Sequence, residues 1–102
     1  MKVVTSDKAE ADLEAIADLI AEDSPLRAIT FVQELRAACL GLERNPARSQ
    51  HISRRPHAGI RRRVHGPYLI FYRVEDSQVT ILRVLHGARD YEAVLFPEER
   101  TS

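Results

Sequence analysis

Two amphipathic stretches joined by only a few residues place the tightest constraint on this chain. Leu13, Ile16, Ala17 and Ile20 recur at helical spacing, and Ala9 extends the stripe. Ser6 offers an N-cap hydroxyl, with Asp7 and Glu10 in the first turn, where the helix dipole favours negative charge. This predicts a helix from about Asp7 to Glu22. Ser24 and Pro25 then read as the cap and first position of a second helix. Its stripe is Ala28, Val32, Leu35, Cys39 and Leu42, widened by Phe31, Ala38 and Leu40, and Asn45-Pro46 ends it. So short a link forces the two helices into an antiparallel hairpin. Both apolar stripes then need one common surface to cover.

The second half of the chain supplies that surface. Ile60 to His65 is a candidate strand, Gly66-Pro67 a turn, and Tyr68 to Glu75 a strand. Asp76-Ser77 is a second tight turn, followed by a strand rich in Val, Ile and Thr from Gln78 to Leu85. Lys2 to Thr5 reads as a short strand, and residues 47–59 read as loop. Asp90 to Phe96 reads as a short helix or an extended tail. The expected fold is α+β: an N-terminal strand, then an antiparallel helical hairpin packed on one face of a small antiparallel sheet. Residues 1–96 form a single domain in this reading, and 97–102 a frayed tail.

Alternation divides the strand residues between two faces. Ile70, Tyr72 and Val74 carry no charge, nor do Thr80, Leu82 and Val84, so both sets are assigned to the helices. The opposite face then shows Leu69, Phe71, Ile81 and Leu85 beside Arg73 and Arg83, with no helix over it. An uncovered face that is half apolar and half arginine points to a protein partner.

Charge sharpens the picture. The chain has 102 residues and no net charge, but residues 1–45 carry −4, residues 46–91 carry +6 and the tail carries −2. All the bases except Lys2 and Lys8 are arginine, the side chain that forks onto carboxylate or phosphate. The basic cluster comprises Arg54, Arg55, His57, Arg61, Arg62, Arg63, His65, Arg73, Arg83, His86 and Arg89. With Arg61 and Arg63 on the open face beside Arg73 and Arg83, the positive field would concentrate there. Phosphate and an acidic protein segment would both suit it, and a solvated basic surface is the plain alternative. His51, His57, His65 and His86 have no metal-ligand spacing and no cysteine pair beside them, so neither metal nor cofactor is expected. The lone Cys39 sits on an apolar stripe and reads as core. The scattered glycines make no phosphate loop. No apolar run approaches the roughly 20 residues of a membrane helix, and no apolar leader opens the chain, so a cytoplasmic location is expected.

Two segments carry a family resemblance. Gly66-Pro67-Tyr68-Leu69-Ile70-Phe71-Tyr72-Arg73-Val74, then Val79-Thr80-Ile81-Leu82-Arg83-Val84-Leu85-His86-Gly87-Ala88-Arg89-Asp90, resembles the ParE branch of the RelE/ParE toxin superfamily. Ala9, Asp12, Leu13 and Ile16, then Ser24-Pro25 with Ala28, Phe31-Val32 with Leu35, and Leu42 with Pro46, are similar to it too. The resemblance spans residues 3–91 and implies the same fold. It implies the toxic half of a type II toxin–antitoxin pair, held as a hetero-oligomer by a ParD-like antitoxin. The antitoxin's disordered tail would fold onto the hairpin and the sheet, over Leu69, Phe71, Ile81 and Leu85.

The resemblance also implies a target. ParE-like members poison DNA gyrase, whereas RelE-like members cut mRNA on the ribosome. A nuclease needs cations for the developing phosphate charge and a group to move the 2′-hydroxyl proton. RNA-cleaving members open the strand that here begins Tyr68-Leu69 with an arginine; this chain is apolar there. Gyrase inhibition, without catalysis, is therefore the leading expectation. Arg61, Arg63, Arg73, Arg83, His86, Arg89 and Tyr91 are the candidate contacts to gyrase or its DNA. The alternatives are an mRNA endonuclease using Arg61, Arg63, Arg89 and Tyr91, and a non-toxic binding module.

Overall fold

The computed structural model describes residues 2–44 and 59–97. Its elements run β1 (Lys2–Thr5), α1 (Asp7–Ala21), α2 (Pro25–Gly41), β2 (Ile60–His65), β3 (Tyr68–Glu75), β4 (Gln78–His86) and α3 (Tyr91–Leu95). The helix signals act as read. The Ser6 hydroxyl accepts from the Ala9 N–H at 3.1 Å, and the Ser24 hydroxyl accepts from the Arg27 N–H at 3.1 Å. Pro25 fills the first turn of α2, where its missing N–H has no intrahelical partner to lose. Three residues link the helices, and Arg36 of α2 forks onto Glu10 of α1 at 2.8 and 2.9 Å. That pair is exposed and secures orientation more than stability.

The sheet order is β1-β4-β3-β2. β2, β3 and β4 form the expected antiparallel meander, and β1 joins β4 in parallel. The β3–β4 turn places both Asp76 and Ser77 at positive φ, the backbone whose twist suits a two-residue hairpin. The main core lies between the hairpin and one sheet face. Leu13, Ile16, Phe31 and Leu35 meet Ile70, Tyr72, Val79, Ile81 and Val84 there. Each such side chain contributes roughly 1.5–3 kcal/mol through burial.

Two expectations about the faces are corrected. Ile81 is fully buried in the hairpin-side core, not on the opposite face. Leu82 packs with the cluster on the opposite face, and Thr80 falls on that side with it. The cause is a bulge: Tyr72 pairs with Ile81 and Phe71 with Arg83, so Leu82 has no partner and the alternation of β4 inverts there. The second correction concerns coverage. Leu69, Phe71, Leu85 and Ile60 form a second buried cluster, roofed by Tyr91, Val94, Leu95 and Phe96 of the C-terminal segment. That face is covered by the chain itself, because Tyr91, Val94 and Leu95 repeat at helical spacing and bring an apolar stripe back across it.

Candidate functional site

A network of polar contacts gathers at the bulge. β1 is only four residues long and pairs with β4 as far as Ile81. Beyond that point α1 satisfies the strand's open edge. The Ser6 N–H donates to the Ile81 carbonyl at 3.0 Å, and the Ser6 hydroxyl donates to the Leu82 carbonyl at 3.0 Å. The Asp12 carboxylate accepts from the Val84 N–H at 2.9 Å and from the Arg83 guanidinium at 2.7 and 2.8 Å. Only 10% of the Asp12 side chain and 20% of Arg83 are exposed, so solvent screens this pair far less than a surface one. The Asp12 carboxylate holds the Arg83 guanidinium above its already high pKa.

Around this seam lies an open cationic cleft of about 330 Å³. Its floor is Ile60 and Leu82, one wall is Val94 and Leu95 of α3, and the start of α1 forms another. Lys8, Arg73 and Arg83 line it together, with Asp7 on the same rim. Arg73 also reaches Glu75 at 3.3 Å. Leu82 and Arg83, neighbours in sequence, line this one cleft because the bulge places them there.

The arginine run of β2 divides unlike the expectation. Arg61 and Arg63 pair opposite Tyr72 and Ile70, so they share the hairpin side of the sheet and leave the Arg73–Arg83 cleft. Arg62 takes the other side, where its guanidinium donates to the Tyr91 hydroxyl at 2.9 Å. The Tyr91 ring lies 5.1 Å from that of Phe71. Arg62 thus anchors α3 over the second cluster. Alternation from the apolar Ile60 is the signal that identifies it, since Ile60, Arg62 and Val64 share one side. Lys8 and Asp12, by contrast, have no local signal: α1 alone reads them as solvated charges.

His86 and Arg89 are exposed at the end of β4. The His86 ring stands edge-on to Tyr68 at 5.3 Å, and its Nδ1 accepts from the Ala88 N–H at 3.0 Å. Tyr68 and Phe31 are buried, so this aromatic row is mostly core. Cys39 is buried too, and burial pushes its thiol up to about 11. Among the described residues, no three His, Cys, Asp or Glu side chains converge as a metal site would require. No helix among them is long and apolar enough to cross a membrane. His51, Arg54, Arg55, His57, the Asn45-Pro46 stop and the tail after Pro97 lie outside the described residues.

The comparisons with known proteins agree with this architecture. Residues 3–91 match the family described as the ParE toxin of the type II toxin–antitoxin system, parDE. Toxin RelE2 of Caulobacter vibrioides is 39% identical over 89 residues, covering 86% of this chain and 97% of that protein. The chromosomal ParDE toxin–antitoxin system of P. aeruginosa contains a chain of the same fold, with a TM-score of 0.74 and 27% identity. That match covers 84% of this chain and 95% of the other. The RelBE2 toxin–antitoxin complex of Mycobacterium tuberculosis gives a TM-score of 0.64 at 28% identity, over 83% of this chain and 95% of its own. A family match over nearly all of the chain, with the hairpin and four-stranded sheet in place, leads to one conclusion: the chain belongs to the ParE toxin family of type II toxin–antitoxin systems.

Proposed function

We propose that this chain is a cytoplasmic toxin that inhibits DNA gyrase, blocks replication and is neutralised by a ParD-like antitoxin. The two solved structures named above come from toxin–antitoxin systems, which supports an antitoxin partner for this chain. The observation that carries the target is Leu69. It lies in the Tyr68-Leu69 opening of the strand that RNA-cleaving members are expected to open with arginine, and it is buried in the second cluster. Arg61 and Arg63 face the hairpin side and Arg83 is committed to Asp12, so little remains to stabilise a developing phosphate charge. Inhibition by binding fits this surface better than catalysis. His86, Arg89 and Arg73 are the proposed contacts to gyrase or its DNA; Arg83 orders the strand that presents them. Leu69, Phe71 and Leu85 do not meet the antitoxin directly while α3 covers them.

A supercoiling assay with purified chain tests the target. Loss of supercoiling with accumulation of cleaved DNA is expected; unimpaired gyrase at large toxin excess would discard it. One observation favours a second reading. The Arg62–Tyr91 pair places a guanidinium on a phenol oxygen, an arrangement suited to mRNA cleavage. Primer extension after induction would show codon-linked cuts that Tyr91→Phe abolishes. Unaffected transcripts set this reading aside.

A further inference from the structure

α2 is apolar on two faces, and the fold uses one of them. Ala28, Phe31, Leu35 and Cys39 enter the core. Leu26, Ile29, Gln33, Ala37 and Leu40 follow one another at steps of three and four on the opposite, exposed side. Among the described residues, five large hydrophobic side chains are exposed, and three of them lie in this stripe: Leu26 at 72%, Leu40 at 61% and Ile29 at 58%. A surface helix needs a single apolar face to fold, so the second is surplus and marks a contact. The flanks of the stripe are already neutral. Arg27 meets Glu34 at 2.6 Å on one side, and Arg36 meets Glu10 at 2.8 Å on the other. With both of these arginines paired, the face offers little to a nucleic acid or an acidic peptide, and it repels no copy of itself.

We propose that this face is a self-association surface, on which two copies of the chain pack α2 against α2, antiparallel, about a two-fold axis at Gln33. The stripe is its own complement when reversed. Leu26 then comes opposite Leu40 of the other copy, Ile29 opposite Ala37, and Gln33 opposite Gln33. The Gln33 amide both donates and accepts, so two of them satisfy each other and fix the register. The most exposed side chain of the stripe also finds a receptacle. Leu40 shares a crevice of about 110 Å³ with Val3, Thr5, Leu13 and Cys39, edged by Arg36. The reversed copy brings its Leu26 to this crevice, and the two-fold repeats the contact at the other end. From Leu26 to Leu40 the stripe is about 21 Å long, and a helix face is about 10 Å across. That footprint is well below the roughly 800 Å² per partner of a standard stable interface, so the pair is weak and reversible. A dissociation constant on the order of 10–100 µM is expected. This association is a property of the hairpin's outer face and goes beyond the gyrase reading, on which it does not depend.

Sedimentation velocity of the full chain, from about 1 µM to about 1 mM, tests it. The chain should pass from monomer to dimer across that range, and high salt should leave the dimer intact, because the contact is apolar. Leu26→Asp is an exposed change in the first turn of α2, where an acid suits the helix dipole. It should leave the melting temperature unchanged and weaken the dimer by about tenfold or more. Gln33→Cys reads the axis directly. A mild oxidant should link it to its copy as a disulfide dimer, whereas Glu14→Cys, exposed on α1, should stay unlinked. A chain that remains monomeric at about 1 mM overturns the proposal. So does a dimer that Leu26→Asp leaves intact, one that high salt dissolves, or linkage as ready at Glu14→Cys as at Gln33→Cys. A monomeric chain whose co-purification with its antitoxin is lost in Leu26→Asp also overturns it, since the face then serves that partner.

Discussion

On one face of the sheet, Ile70, Tyr72, Ile81 and Val84 lie beneath two helices of 15 and 17 residues. On the other, Leu69, Phe71 and Leu85 lie beneath a helix of five residues. Both faces bury their strand side chains almost fully, so burial alone does not separate them. What separates them is the cover. No residue of α3 is itself fully buried, whereas α1 and α2 each commit several. A single helical turn has no independent stability, so α3 persists only through its contacts with the sheet. The thick side is therefore the more firmly built of the two, and the thin side is the one whose cover rests on the fewest contacts.

This contrast can be broken most directly by truncation on each side. Leu35→Ala on the hairpin side should cost about 3 kcal/mol in urea unfolding, through lost transfer energy and a cavity. Leu95→Ala on the α3 side should cost less than about 1 kcal/mol, because Leu95 is only partly buried. Equal losses would mean that α3 is as firmly built as the hairpin. The seam between the two sides comes next. Asp12→Ala should destabilise by roughly 2–3 kcal/mol, since it strands both the Val84 N–H and a mostly buried guanidinium. Asp12→Asn, which retains an acceptor, should recover part of that in the same unfolding assay.

Cys39 reports on the thick side alone. Its folded thiol titrates near 11 against an ordinary 9.0, so the folded chain binds that proton more tightly than the unfolded one. The resulting stability is complete below pH 9.0 and is lost as pH rises towards 11. Cys39→Ala should flatten this alkaline limb in pH-dependent melting, and the native thiol should resist alkylation until the chain unfolds. The smallest effect is at Glu10, whose carboxyl the Arg36 side chain holds below the usual 4.5. Its contribution is present above 4.5 and fades as pH falls through the lowered value. Glu10→Gln should flatten the acid limb only slightly, because the pair is exposed.

The helices, the turns and the meander were legible because each is set by neighbours in sequence. Ser6 and Ser24 cap the helices they precede, and Gly66 and Asp76-Ser77 turn the strands they join. The candidate site was legible only in part. The basic character of the second half was plain, and Arg73 and Arg83 do line one cleft. The division of the Arg61–Arg63 run was decided by pairing with β3, and Lys8 and Asp12, each more than seventy residues from Arg83 in sequence, entered through α1.

The cationic, half-apolar sheet is thus a property the sequence determines by itself: alternation and composition demand it, and the charges of residues 46–91 cannot be placed in a core. Which side chains share a face was a tertiary decision. One unpaired residue, Leu82, inverts β4, sending Ile81 to the hairpin and Arg83 to the cleft. A bulge leaves little mark in local sequence, because its cause lies across the sheet. Here β1 ends at Thr5, and Ser6 and Asp12 of α1 take up the backbone groups that a longer strand would have paired.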